Sequence, residues 1–140
     1  MKRTNGRAII IENDEVILMF RRKIKNGITK EYYAIPGGGQ EENETLEETT
    51  KREIKEEFNL DIEVKELLGI VEDKNNIGYV YNTNILGGTL RLGGEELEYN
   101  NNENYYEIRK VKIKDIDNYD ILPENKELIR KAYTANKKEN

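Results

Sequence analysis

Apolar and polar residues alternate at the start of this chain in the rhythm of β-strands. Arg3 to Ile11 is rich in β-branched residues and stops at Asn13-Asp14, a turn pair. From Val16 to Arg22 the alternation assigns faces, with Val16, Leu18, Phe20 and Arg22 on one side and Ile17, Met19 and Arg21 on the other. These two runs read together as a hairpin. Asn26-Gly27, flanked by Ile24 and Ile28, reads as a second tight turn. Tyr32 to Ile35 is a short strand delivering the chain to Pro36 and the glycines Gly37, Gly38 and Gly39.

Beyond the glycines the period changes. Thr45 and Glu48 have the spacing of a capping box, in which the threonine and glutamate side chains satisfy each other's backbone N–H groups. The helix they open closes at Asn59-Leu60, since asparagine accepts the left-handed conformation of a helix C-terminus. Ile62 to Glu72 returns to loose strand alternation, interrupted near Gly69, and Asp73 to Asn76 is a turn. Tyr79 to Leu86 is a strand with Tyr79 and Tyr81 on one face, where sheet packing is the better reading and stacking on a planar ring the alternative. Gly87-Gly88, Gly93-Gly94 and Asn100 to Asn102 punctuate an irregular region that holds a short strand at Thr89 to Leu92. Tyr105 to Ile113 is strand again. Leu122-Pro123-Glu124 opens a last helix with Leu128, Ile129, Ala132 and Tyr133 at helical spacing, and the end from Lys137 is frayed.

Strands on both sides of one helix, with a second helix last, predict an α+β protein with a mixed β-sheet between helices. The 140 residues form a single domain, 1–140, with no internal repeat or linker. Composition narrows the chemistry. Hydrophobic and charged residues each make up 36%, and the net charge of −5 argues against a protein that coats nucleic acid. Cysteine and histidine are both absent, which removes thiolate and imidazole metal sites, disulfides and the commonest general base. Acid–base or metal chemistry falls to carboxylates. The longest early apolar run, Ala8 to Ile11, is too short for a signal-peptide core or a membrane span, so a cytoplasmic protein is expected.

Glu53, Glu56 and Glu57 stand at i, i+3 and i+4 of the first helix, within one arc of roughly 100°. Taken alone this reads first as a solvated acidic face, on which like charges repel by a few tenths of a kcal/mol per pair. The wider spacing adds more. Gly38, five residues, Glu44, seven residues, then Arg52-Glu53-Ile54-x-Glu56-Glu57 and Leu60 resembles the Nudix box. The departure is Asn59 where the family has glycine. Asn43, just before Glu44, replaces a glycine that is frequent in the family but less strictly required. Asparagine is the non-glycine residue most tolerant of positive φ, so both changes can preserve the backbone.

The resemblance implies an α/β/α sandwich and a Mg²⁺- or Mn²⁺-dependent hydrolase cleaving the pyrophosphate linkage of a nucleoside diphosphate derivative. The alternative is a Nudix-fold module that senses a nucleotide without hydrolysing it. Under the resemblance Glu56 and Glu57 are metal ligands, and Glu53 is a ligand or the partner of the attacking water. Gly38 offers its carbonyl to the metal and Gly39 shares the substrate loop. Arg52 pins the carboxylates, where an ordinary surface pair with Glu56 is the alternative, and Glu44 buttresses the loop or is simply a solvated helix-start acid. Arg22, at the end of a strand before the box, takes the place of a phosphate-contacting arginine, or is an exposed strand-end residue. A further glutamate after the box assists in many relatives. Glu103 is preferred here, Glu96 is next, and Glu95, Glu98 and Glu107 are the remaining candidates. The implied partner is a small molecule rather than a membrane or long nucleic acid, and the protein is a monomer or homodimer.

Overall fold

The computed structural model describes residues 1–94 and 100–138. The elements, in chain order, are β1 (Arg3–Ile9), β2 (Ile11–Glu12), β3 (Glu15–Lys25), β4 (Ile28–Ala34), β5 (Gly37–Gly39), α1 (Leu46–Phe58), β6 (Leu60–Glu72), β7 (Asn76–Gly88), β8 (Asn104–Lys112), a 3₁₀ helix (Ile113–Asn118) and α2 (Pro123–Lys138). One sheet has the order β5-β1-β7-β6, with β1 and β7 parallel and the other pairs antiparallel. In the other, β3 carries β8 along one edge and β2 and β4 along the opposite edge.

Two apolar clusters hold the sheets between the helices. Ile54 and Phe58, both fully buried on α1, pack with Ala8, Ile10, Ile17, Met19, Leu60 and Ile62. Burial of each such side chain contributes roughly 1.5–3 kcal/mol. On the other side Ile129 and Ala132 of α2 meet Ile9, Val16, Leu18, Val80 and Val111. The result is a mixed-sheet α+β sandwich, as the strand–helix pattern predicts. Among the described residues no helix is long and apolar enough to cross a membrane.

Several local expectations hold. Thr45 caps α1 with a complete capping box, Thr45 Oγ1 accepting from Glu48 N at 3.1 Å and Glu48 Oε1 from Thr45 N at 2.9 Å. Asn59 ends the helix at φ 57°, and Asn43 likewise has φ 64°. Asn26 (φ 54°) and Gly27 (φ 75°) both take positive φ, as a tight turn between twisted strands requires.

Others are corrected. The first two runs do not form a long hairpin. β1 lies beside β7 in one sheet, and only Ile11–Glu12 turns back to pair with Val16 and Glu15 of the other. The chain changes sheet at Ile10, a step that alternation alone does not mark. The glycine segment is a strand, β5, paired with β1. Thr89 to Leu92 is not a strand. Its backbone instead caps the end of α1, Arg91 N donating to Phe58 O at 3.1 Å and Gly93 N to Glu57 O at 2.8 Å. A Cβ on Gly93 would lie 2.6 Å from the Glu56 carbonyl oxygen, so this close approach requires glycine.

Candidate active site

The acidic face of α1 is laid against β5 and braced by one arginine. Arg52 Nε and Nη2 donate to the two carboxylate oxygens of Glu44 at 2.7 and 2.9 Å. Nη1 reaches Glu53 at 3.0 Å and Glu56 at 3.4 Å, and Nη2 also donates to the Gly39 carbonyl at 3.0 Å. Arg52 therefore ties the loop before the helix, the glycine strand and two box glutamates into one unit, more than an isolated pair with Glu56. Glu44 completes it by accepting from Thr49 Oγ1 at 2.7 Å and Glu41 N at 3.0 Å. The Arg52 guanidinium, with these other donors, holds the Glu44 carboxyl down to about 2. In return the Glu44 carboxylate pushes the Arg52 pKa up.

Glu57 is 6% exposed, an unusual burial for a carboxylate. The Gly37 N–H donates to it at 3.2 Å. Gly38 lies against the Glu53 carboxylate, and a Cβ there would push that side chain from its present position. Gly38 lies within β5, opposite Gly6. Glu53, Glu56, Glu57, Arg52, Gly38 and Gly39 together border a cleft of about 250 Å³ whose rim also carries Gly94.

Two predicted site residues stand elsewhere. Arg22 lies on the face of β3 turned away from α1, its guanidinium 4.7 Å from the centre of the Tyr105 ring. Strand alternation separates it from Ile17 and Met19, which pack under α1. Glu103 is exposed at the turn before β8, its carbonyl accepting from Ile24 N at 2.8 Å, and it borders neither the box cleft nor its inner extension. Glu107 lies on the same outer face as Arg22, where Tyr105 Oη donates to it at 2.6 Å and Arg109 Nε at 3.0 Å. Glu95, Glu96 and Glu98 lie outside the described residues. Tyr81 is buried beside Ala8 and Leu67, and burial raises its pKa, in keeping with sheet packing.

Sequence reasoning did not single out Arg7 and Arg21. Together with Glu57, Gly37 and Tyr106 they line a small inner extension of the site of about 80 Å³. Arg7 Nη1 donates to the Ile35 carbonyl at 2.8 Å. Burial lowers the Arg7 pKa, and nearby Glu57 partly offsets this. The available signal was parity: of two consecutive arginines in a strand, one must share the face of Met19.

The donor set at the cleft is oxygen only, which suits a hard divalent cation. In the side-chain orientations seen, no three acidic residues among the described residues stand close enough together to grip an ion, and Arg52 reaches both Glu53 and Glu56. Glu56 is half-exposed and meets Arg52 only at the long end of hydrogen-bonding distance. The oxygen-only donor set fits a hard divalent cation such as Mg²⁺ or Mn²⁺ in chemistry.

A capped helix bearing three glutamates, braced by an arginine against a glycine strand at the edge of a mixed sheet, defines a class that comparison makes explicit. The chain belongs to the NUDIX domain family, whose profile matches residues 2–131. It is 40% identical over 95 residues to the ADP-ribose pyrophosphatase of Methanocaldococcus jannaschii, an alignment covering 64% of this chain and 55% of that protein. It is 34% identical over 87 residues to a putative nudix hydrolase 1 of Caenorhabditis elegans, covering 60% of this chain and 24% of that one. The matched stretches thus span about half the length of the first relative and about a quarter of the second. A NUDIX-family hydrolase from Clostridium perfringens shares the fold at a TM-score of 0.69 and 16% identity, over 94% of this chain and 96% of its own.

Proposed function

We propose that the chain is a Mg²⁺- or Mn²⁺-dependent pyrophosphohydrolase acting on a nucleoside diphosphate joined to a second group, with ADP-ribose as the leading substrate. The observation that carries this reading is the intact acidic face: Glu53, Glu56 and Glu57 are all retained, and the Arg52–Glu44 brace fixes their helix against β5. The relative from Methanocaldococcus jannaschii, named for ADP-ribose, supports the choice of substrate. Sensing modules of this fold typically lose box carboxylates, and all three are kept here.

Glu53, Glu56, Glu57 and the Gly38 carbonyl would hold the cation. A divalent cation there supplies neutralisation of the diphosphate charge and acidification of water, which allows a carboxylate to serve as base without histidine. Glu53 orients the attacking water and accepts its proton. The water oxygen bonds to one phosphorus, the bridging P–O bond breaks, and its electron pair leaves on the departing phosphate. Arg52 fixes the position of Glu53, and Glu44 fixes Arg52.

A substrate panel tests this: ADP-ribose, other nucleotide sugars, nucleoside triphosphates, dinucleoside polyphosphates and capped RNA, with products resolved by chromatography. Hydrolysis of ADP-ribose is expected to stop in excess chelator and return with Mg²⁺ or Mn²⁺. Full turnover in chelator would overturn the metal-dependent mechanism, and tight binding without turnover would make the protein a sensor.

A further inference from the structure

Asn59 departs from the family pattern, and its side chain makes a contact that glycine could not make. Nδ2 donates to the Thr89 carbonyl at 2.8 Å, from a stretch of chain far away in sequence. That stretch closes over the end of α1. Arg91 N donates to Phe58 O at 3.1 Å and Gly93 N to Glu57 O at 2.8 Å. These are carbonyls that the helix itself leaves without partners. Between the two fastenings, Leu90 and Leu92 pack against the cluster that holds Ile54 and Phe58. Just before them Gly88, at φ 96°, lies so near Asn59 O that a Cβ there would collide with it. The stretch is therefore tied to the helix end at both of its own ends, at Asn59 through Thr89 and at Glu57 through Gly93.

The part of α1 held in this way carries the chemistry. Glu56 and Glu57 stand in the final turn of the helix, and Gly94, next after the clasp, borders the same cleft. Helix ends fray. Fraying here would displace two of the carboxylates that a cation needs. The N–H groups of Arg91 and Gly93 reach their carbonyls only while the stretch keeps its level along the helix, and the Asn59 amide fixes that level where the stretch begins.

We propose that Asn59 is a positioning residue for the cation site. Acting through Thr89 to Gly93, it steadies the last turn of α1 so that Glu56 and Glu57 are already in place for a divalent cation. Glycine at this position supplies the left-handed backbone but leaves Thr89 untied. The inference rests on the proposed metal-dependent reading.

Mn²⁺ binding to the full chain without substrate, followed by titration calorimetry and by electron paramagnetic resonance of the free ion, tests it. The unaltered protein is expected to bind Mn²⁺, and Glu56→Gln to lose most of that affinity. Asn59→Gly should bind about threefold more weakly or worse. Removing a group bonded directly to a ligand costs more, roughly 10- to 100-fold. Its denaturant unfolding should stay close to that of the unaltered protein, whereas a merely structural role would leave Mn²⁺ affinity alone. Gly93→Ala, which opens the far fastening, should weaken binding at least as much. Adding Asn59→Gly to it should cost little more, because two changes acting through one stretch are not additive. Asn26→Gly, at a left-handed asparagine in the β3–β4 turn, should bind as the unaltered protein does. Equal Mn²⁺ affinity in Asn59→Gly and the unaltered protein overturns the proposal and leaves the metal-dependent reading standing, as does full additivity in the double variant. If Gly93→Ala does not fold, the comparison of Asn59→Gly with the unaltered protein decides. No Mn²⁺ uptake by the unaltered protein, or equal uptake by Glu56→Gln, removes the metal-dependent reading and this proposal with it.

Discussion

Two arginine–glutamate networks lie on opposite sides of the molecule, and they are built differently. On the outer face of β3 and β8, Arg109 meets Glu107 at 3.0 Å and Tyr33 Oη at 2.7 Å, with its guanidinium 3.9 Å from the centre of the Phe20 ring. One cation answers one carboxylate, and aromatic rings cover what remains. At the box, Arg52 faces Glu44, Glu53 and Glu56 within 3.4 Å, and Glu41 at 3.7 Å, while Arg3 borders the same cleft. Its side chain is 23% exposed against 38% for Arg109, so the greater imbalance sits in the less hydrated place. A balanced network is complete as a piece of surface. An acid-rich one, partly withdrawn from water, is stabilised by an added cation.

Charge removal breaks this contrast most sharply. Glu56→Gln and Glu57→Gln are each expected to lower kcat on ADP-ribose by at least about 10²-fold, since a lost carboxylate weakens cation binding and water activation together. Glu53→Gln should fall as steeply. Glu107→Gln and Glu103→Gln should stay within about twofold, the scale of a surface change with no part in the transition state. Near-normal turnover in both Glu56→Gln and Glu57→Gln would end the proposed mechanism.

A pH titration sharpens the comparison at smaller scale. The Glu44 pKa is lowered in the folded protein, to about 2 from an ordinary 4.5. Its contribution to stability is therefore complete above the ordinary value and is lost as pH falls toward 2. Thermal unfolding followed from pH 5 to pH 2 should show a steeper fall in Tm for the unaltered protein than for Glu44→Gln. Parallel curves would mean that the Arg52–Glu44 pair does not add to folding stability.

The smallest effects concern the glycine that the family has at Asn59. At φ 57° a β-branched residue is strained, and Asn59→Val should cost about 1 kcal/mol or more in denaturant unfolding. Asn59→Gly should change little, because easier backbone geometry offsets the hydrogen bond from Asn59 Nδ2 to Thr89 O, 2.8 Å long. A Val variant as stable as the Gly variant would show that the left-handed conformation is not under strain.

The first helix was legible almost residue by residue, from the Thr45 cap to the left-handed Asn59, because capping and helix termination depend on neighbours a few positions away. The strands were legible as strands, but their partners were not. Whether β1 pairs with β3 or with β7 is a long-range choice, and nothing local at Ile10 records the change of sheet. The same limit governed the arginines. Alternation separates Arg21 from Arg22, yet only the packing of Met19 under α1 tells which of them turns to the box. Arg7 was hidden differently, a charged residue just ahead of an apolar run, close to an arginine from another sheet. At Thr89 to Leu92, Arg91 gives its N–H to a helix carbonyl, and Gly93 just beyond does the same, a competition that composition does not show.

The grip of residues 91 and 93 on the end of α1 also bears on redesign. Glu57 is anchored twice, its carboxylate accepting from Gly37 and its main-chain oxygen from Gly93. Glu56 is crowded by Gly93 so closely that no side chain fits there. Anyone exchanging loops to alter substrate preference inherits a fixed splice site. A junction placed before Gly93 would cut through the clasp that steadies both glutamates, whereas a donor loop joined after it leaves the clasp whole. The same reasoning makes Gly93 a poor position for library diversification, although it lies outside the box and carries no side chain of its own.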